Sequence, residues 1–141
     1  MNQKMVLAEW HHVRDALHAA CVLAREDLRA DAVSRAYYAI LHAAKAALHV
    51  HDIAADSHAA VKRLFGLHLV RAGEIEPEWS AHLAKSLDER LAADYDAEVT
   101  FSAAEVRDEC RRARRFVGRV RHYLVANGLT ERELRQAVRR R

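Results

Sequence analysis

The chain holds one proline and four glycines. That is too little turn chemistry for a set of β-hairpins or for long loops. Its two cysteines, Cys21 and Cys110, lie far apart in partly apolar, helix-forming stretches. Buried thiols are expected there, not a disulfide or a metal pair. HExxH and CxxC patterns are absent, as are a glycine-rich phosphate loop and a GxSxG elbow. His49, His51, Asp52 and His58 gather near one loop but read as scattered surface residues. No metal site and no cofactor are expected. The segment MNQKMVLAEW has no cationic region followed by an apolar run, so no signal peptide is expected. The expectation is a soluble, cytoplasmic protein without membrane contact.

What the sequence does hold is helix-forming material. Hydrophobic residues make up 51% and charged residues 30% of 141 residues, a balance that fits neither a disordered tail nor a membrane span. Alanine is abundant, with leucine, arginine and glutamate beside it, and these are the strong helix formers. The expected fold is all-α: a bundle of about five main helices and a short C-terminal one, in a single domain over residues 1–141. The formal charge of +3 says little alone, whereas ten histidines put titratable groups near neutral pH.

Apolar residues recur at helical spacing in each expected helix. The first spans about 4 to 27, with Val6, Trp10, Val13 and Leu17. The second runs from Asp31 to about His51. Ser57 caps a third helix that carries Val61, Leu64, Phe65, Leu67 (or His68) and Leu69, with Gly73 at its end. Gly66 inside it suggests close packing. Pro77 opens a fourth helix with the seam Trp79, Leu83, Leu87 and Leu91, fading near Asp94. Ser102 and Glu105 form a capping box for the fifth, which Asn127-Gly128 stops. Thr130 and Glu133 repeat the box for a short last helix, whose basic end VRRR is expected to fray.

The stretch DAVSRAYYAILHAAKAALH, residues 31–49, is mostly apolar, yet Asp31, Arg35, His42, Lys45 and His49 fall at spacings of three, four and seven. One side of a helix therefore carries them all. Arg35 and His42 are about 10 Å apart along the axis and nearly aligned. His42 leans back toward Tyr38 and Arg35. A guanidinium and an imidazole so placed can hold a phosphate, move a proton and stabilise developing charge. RNA cleavage by the neighbouring 2′-hydroxyl needs these functions and no metal. The same spacing also fits an Arg35–Asp31 pair and a satisfied core histidine at His42.

The run SRAYYAILHAAKAAL resembles the signature helix of the HEPN superfamily, in its branch of small standalone bacterial and archaeal proteins. SHAAVKRLFGLHLVRAG and DYDAEVTFSAAEV match that branch in the same order, so the resemblance covers roughly residues 9 to 125. The six residues between Arg35 and His42 fit the family's Arg-to-His spacing. The resemblance implies an antiparallel helical bundle that dimerises through the 31–51 helix. It also implies metal-independent endoribonuclease activity, often as a toxin paired with a nucleotidyltransferase antitoxin. By position, Arg35 and His42 would be the catalytic pair, with Asp31, Tyr38 and Lys45 in support. A two-fold axis beside the helix would bring a second Arg35 and His42 to a shared cleft. The sequence departs from the family pattern at Ala36, where many active members have a polar residue, often Asn. It departs again at Ala44, where some toxins carry a tyrosine that their partner modifies. A non-catalytic module that docks a nucleotidyltransferase or another partner, with a nucleotide in the cleft, is the alternative.

The fifth helix adds Arg107, Arg111, Arg114, Arg115 and Arg119, a face that can track RNA phosphates. A solvated face with local partners such as Asp108–Arg112 is equally compatible. Arg139–Arg141 extends the basic character.

Overall fold

The computed structural model describes residues 1–136; the expected basic end VRRR lies outside them. Among the described residues all regular structure is helical: Gln3–Arg25 (α1), Arg29–His49 (α2), His58–Phe65 (α3), Glu78–Tyr95 (α4), Ala103–Ala126 (α5) and Glu131–Gln136 (α6). A π-helical turn, Gly66–Val70, continues α3. The expected all-α bundle of five main helices and a short last one is what forms.

Sequence chemistry sets the helix starts. Asn2 Oδ1 accepts from the Met5 amide at 3.2 Å, and Ser57 Oγ accepts from Ala60 at 3.0 Å. Ser102 and Glu105 close the full capping box, at 3.0 and 2.9 Å. Four of the helix ends share one device. The amides of Leu28, Ile53, Glu74 and Leu129 each reach back five residues to a carbonyl, at 2.9–3.1 Å. The residue before each lies at positive φ: Asp27 at 62°, Asp52 at 58°, Gly73 at 79° and Gly128 at 108°. This is the closure that satisfies orphan carbonyls at a helix terminus.

The central helix is α2. It packs on α1, α3, α4 and α5. Seven of its alanines, Ala32, Ala36, Ala39, Ala43, Ala44, Ala46 and Ala47, are fully buried. Small side chains let four neighbours approach one helix at close range. Val6, Trp10 and Val13 of α1 and Phe116, Val120 and Leu124 of α5 complete the core.

Four sequence expectations shift. Leu91 is 42% exposed and Leu67 41% exposed, so neither completes the seam assigned to it. Leu67 lies two residues from Phe65 and from Leu69, both fully buried, and so takes the opposite side of the helix from them. Gly66 is not forced by crowding, since a Cβ there would meet Ser80 Oγ at 3.9 Å, an ordinary contact. On α5, Asp108 pairs with Arg111 at 3.5 Å, and Arg112 pairs with Glu109.

Candidate functional site

Between Asp31 and His49, four helices leave α2 one open side. Only Asp31, Arg35, Tyr38, His42 and Lys45 escape full burial there. The sequence stripe is therefore a surface seam. His49, its sixth turn-neighbour, is 8% exposed and closes the seam from within.

His42 is held from α1. Its Nδ1 lies 2.8 Å from Glu9 Oε1. The other carboxylate oxygen of Glu9 faces Lys45 Nζ at 3.5 Å and His49 Nε2 at 3.7 Å. Glu9 is 7% exposed. Burial pushes its carboxyl up, but the His42 hydrogen bond and the charges of Lys45, His42 and His49 outweigh it and hold the pKa below 4.5. Glu9 is thus an ionised acceptor, so His42 Nδ1 carries a proton and donates it. Nε2 is left to face outward without a protein partner among the described residues. His12 of α1 stacks on the His42 ring, with centroids 4.9 Å apart. This anchoring fixes both the tautomer and the ring plane of His42.

Arg35 has no carboxylate partner among the described residues, and Asp31 does not pair with it. Its guanidinium lies over the Tyr38 ring, 4.4 Å from the centroid. The Tyr38 ring is 6.4 Å from that of His42. Arg35, Tyr38 and His42 therefore stand in a line along the seam, with the tyrosine in the middle. From α4, Arg90 Nη2 donates to the Tyr38 hydroxyl at 2.9 Å, and Arg90 Nε pairs with Asp94 at 2.8 Å. Tyr37 faces inward, 1% exposed. Its hydroxyl meets His58 Nδ1 at 2.6 Å, and burial pushes its pKa up to about 12.

Glu9, His12 and Arg90 complete the site; Glu9 and Arg90 were not singled out from the sequence, and His12 reads there only as part of a scattered histidine group. For Glu9 a signal existed: an acid midway between Val6 and Val13, on the face that α1 buries. Arg90 sits beside Leu87 on a less regular seam, and nothing in the sequence ties it to Tyr38. Ala36 and Ala44, the two departures from the family pattern, are fully buried. A large polar residue at either position would point into the bundle here, not into the seam.

The five arginines assigned to RNA divide. Arg107, Arg111 and Arg115 are exposed on α5. Arg114 lines a groove of about 640 Å³ between α1 and α5, with Arg14, Arg25 and Arg121 on its rim. Arg119 is tied down, with Nε and Nη2 at 2.7 and 3.1 Å from the Glu76 carboxylate. Among the described residues, none of the five makes a hydrogen bond, ion pair or ring contact with the α2 seam.

The class defined by this fold and seam is a helical bundle whose central helix exposes an Arg-x6-His pair, with the His backed by a buried acid. The chain belongs to the HEPN domain family, which matches residues 12–128. It is 38% identical over 108 residues to a Methanocaldococcus jannaschii protein named "Putative toxin", covering 77% of this chain and 80% of the relative. A second M. jannaschii protein of that name is 26% identical over 102 residues, 72% of this chain and 69% of the relative. A Pyrococcus horikoshii protein named "UPF0332 protein" is 41% identical over 78 residues, 55% of each chain. Among the described residues no helix is long and apolar enough to cross a membrane.

Proposed function

We propose that the chain is a metal-independent RNA endonuclease that acts as a homodimer in the cytoplasm, as the toxin of a toxin–antitoxin pair. The observation that carries this reading is the seam itself. The one open side of a buried helix presents Arg35 and a His42 whose orientation is fixed by Glu9.

In the reaction, the ribose 2′-oxygen attacks the adjacent phosphorus and the bond from phosphorus to the 5′-oxygen breaks. A 2′,3′-cyclic phosphate and a 5′-hydroxyl result. His42 Nε2 takes the 2′ proton, and an acid returns a proton to the leaving 5′-oxygen. Arg35 binds the phosphate and stabilises the charge of the phosphorane. The acid is assigned to His42 of a second copy across a two-fold axis along α2; the exposed His12, stacked on His42, is the alternative acid within one chain. Lys45 and Tyr38 add contacts on the same seam, and Asp31 lies at its upper end. Arg107, Arg111, Arg114 and Arg115 hold flanking phosphates, while Arg119 serves mainly to tie α5 to the loop before α4. Two relatives bear toxin names, which supports the toxin assignment; the antitoxin is then a nucleotidyltransferase partner.

The test is cleavage of RNA by the purified protein in EDTA. Wild type cleaves, whereas Arg35→Ala and His42→Ala each lose activity by at least roughly 100-fold. Equal cleavage by all three would sink the site. A second reading, a partner-docking module without catalysis, rests on Ala36, which stands where many active members of the family have a polar residue. Growth decides between them: expression of a toxin arrests cells and His42→Ala relieves the arrest, whereas a docking module leaves growth unchanged.

A further inference from the structure

The Arg90–Tyr38 hydrogen bond joins two helices at the seam. It has a chemical direction that its geometry fixes. A guanidinium has five donors and no acceptor. The bond from Arg90 Nη2 to the Tyr38 hydroxyl, 2.9 Å, therefore uses an oxygen lone pair. The hydroxyl proton is left to point elsewhere, and no protein acceptor takes it among the described residues. Tyr38 lies between Arg35 and His42, where a phosphate held by that pair would sit.

Arg90 is built to hold this pose. Its side chain is 11% exposed and forms an ion pair with Asp94 one turn on, Nε lying 2.8 Å from the carboxylate though without hydrogen-bond alignment. Its guanidinium lies 5.4 to 5.9 Å from the ring centroids of Tyr38, Tyr95 and Tyr37. A group so enclosed and already paired is poorly placed to reach a ligand. It is well placed to polarise a hydroxyl that can.

We infer that Tyr38 donates a hydrogen bond to a non-bridging oxygen of the scissile phosphate, and that Arg90 is the positioning residue that aims it. This rests on the cleavage site proposed above. The donor would strengthen its bond as charge grows on the phosphorane, so it would act on the chemical step more than on binding. No proton is transferred; Tyr38 remains a phenol throughout.

The test is a double-mutant cycle read as kcat and KM. Tyr38→Phe removes only the hydroxyl and is expected to lower kcat roughly 10- to 100-fold with KM within about twofold. Arg90→Met is expected to match it, and the double variant to be no worse than either single one. Two results overturn the inference: a further loss from Arg90→Met in the Tyr38→Phe background, or a change confined to KM. Should Arg90→Met melt below the assay temperature, Arg90→Lys carries the same expectation, because a single ammonium cannot span Asp94 and Tyr38 together. A second readout needs no turnover. In protein labelled at tyrosine Cζ, binding of a 2′-deoxy oligonucleotide should shift the Tyr38 resonance, and Arg90→Met should abolish that shift while binding persists. If wild type does not cleave RNA but the resonance still shifts and depends on Arg90, the cleavage reading has failed and the Tyr38–Arg90 contact stands. No shift in wild type overturns the contact, whatever the activity.

Discussion

At the scale of single residues, the seam turns on Glu9. A carboxylate at 7% exposure is retained because three cationic or titratable groups face it. Glu9→Gln keeps the shape and removes the charge. The imidazole then loses the carboxylate acceptor that fixes its tautomer and ring plane, and cleavage is expected to fall by roughly 10- to 100-fold, as when an orienting partner of a functional histidine is lost. The same substitution has a sign in stability. The Glu9 pKa is lowered on folding from 4.5, so its contribution is complete above that pH and disappears as pH falls through the lower folded-state value. Melting temperatures of wild type and Glu9→Gln should differ at pH 7 and converge as the pH falls below the lowered pKa of the Glu9 carboxyl. A gap that persists in acid would show that Glu9 contributes through packing and not through charge. Glu9 was legible in principle, as an acid on an apolar face. Its role was not, because the partners lie 33 to 40 residues away in sequence and only the α1–α2 hairpin brings them together.

At the scale of elements, caps and stops were the most readable features. Ser57, Ser102–Glu105 and Thr130–Glu133 act at the positions their chemistry indicated, since capping is local and needs no tertiary knowledge. Gly73 and Gly128 were equally local. Asp27 and Asp52 were less so, because an aspartate tolerates left-handed backbone without announcing it. Gly73 gives a clean measurement. Its φ is 79° and nothing lies within 4 Å of where a Cβ would stand, so Gly73→Ala adds backbone strain and no clash. Denaturant unfolding should show a loss of about 1–2 kcal/mol. The π turn was the illegible element. Nothing in the spacing of Leu67, His68 and Leu69 announces it. The α2 stripe was legible because a helix buried on nearly every side makes any polar residue conspicuous.

At the scale of the whole molecule, two histidines link stability to pH. Burial, followed by the charges of Arg90 and Lys45, lowers the His58 pKa below 6.5. Burial, followed by Arg112 and Arg115, does the same for His82. Both are bases with depressed folded-state values, so their contribution is present above 6.5 and is lost as pH falls through the folded values. Thermal unfolding between pH 8 and pH 5 should show a declining melting temperature, and His82→Gln should flatten part of the decline. Assembly is the second global property. A dimer across the α2 seam would set Arg35, His42 and Lys45 of two copies near one another, with Glu9 buried behind them. An anion between the copies offsets that repulsion, and a ligand that binds only the dimer favours it by mass action. Sedimentation should show a dimer fraction that rises with a 2′-deoxy oligonucleotide and falls with salt. A salt-insensitive dimer would place the interface elsewhere.

The crowding of α2 has one more consequence, for how its positions tolerate change. Seven alanines meet packed neighbours and five seam residues meet open space, and the two sets do not overlap. A saturation scan of residues 31–49 should therefore split into two groups of positions. One group governs melting temperature and rejects bulk; the other accepts many side chains without unfolding and governs activity. Along a helix so divided, a single exchange at Arg35, which has no carboxylate partner among the described residues, is expected to remove the proposed cleavage and leave stability unchanged, whereas an exchange at His42 also takes a partner from the buried Glu9.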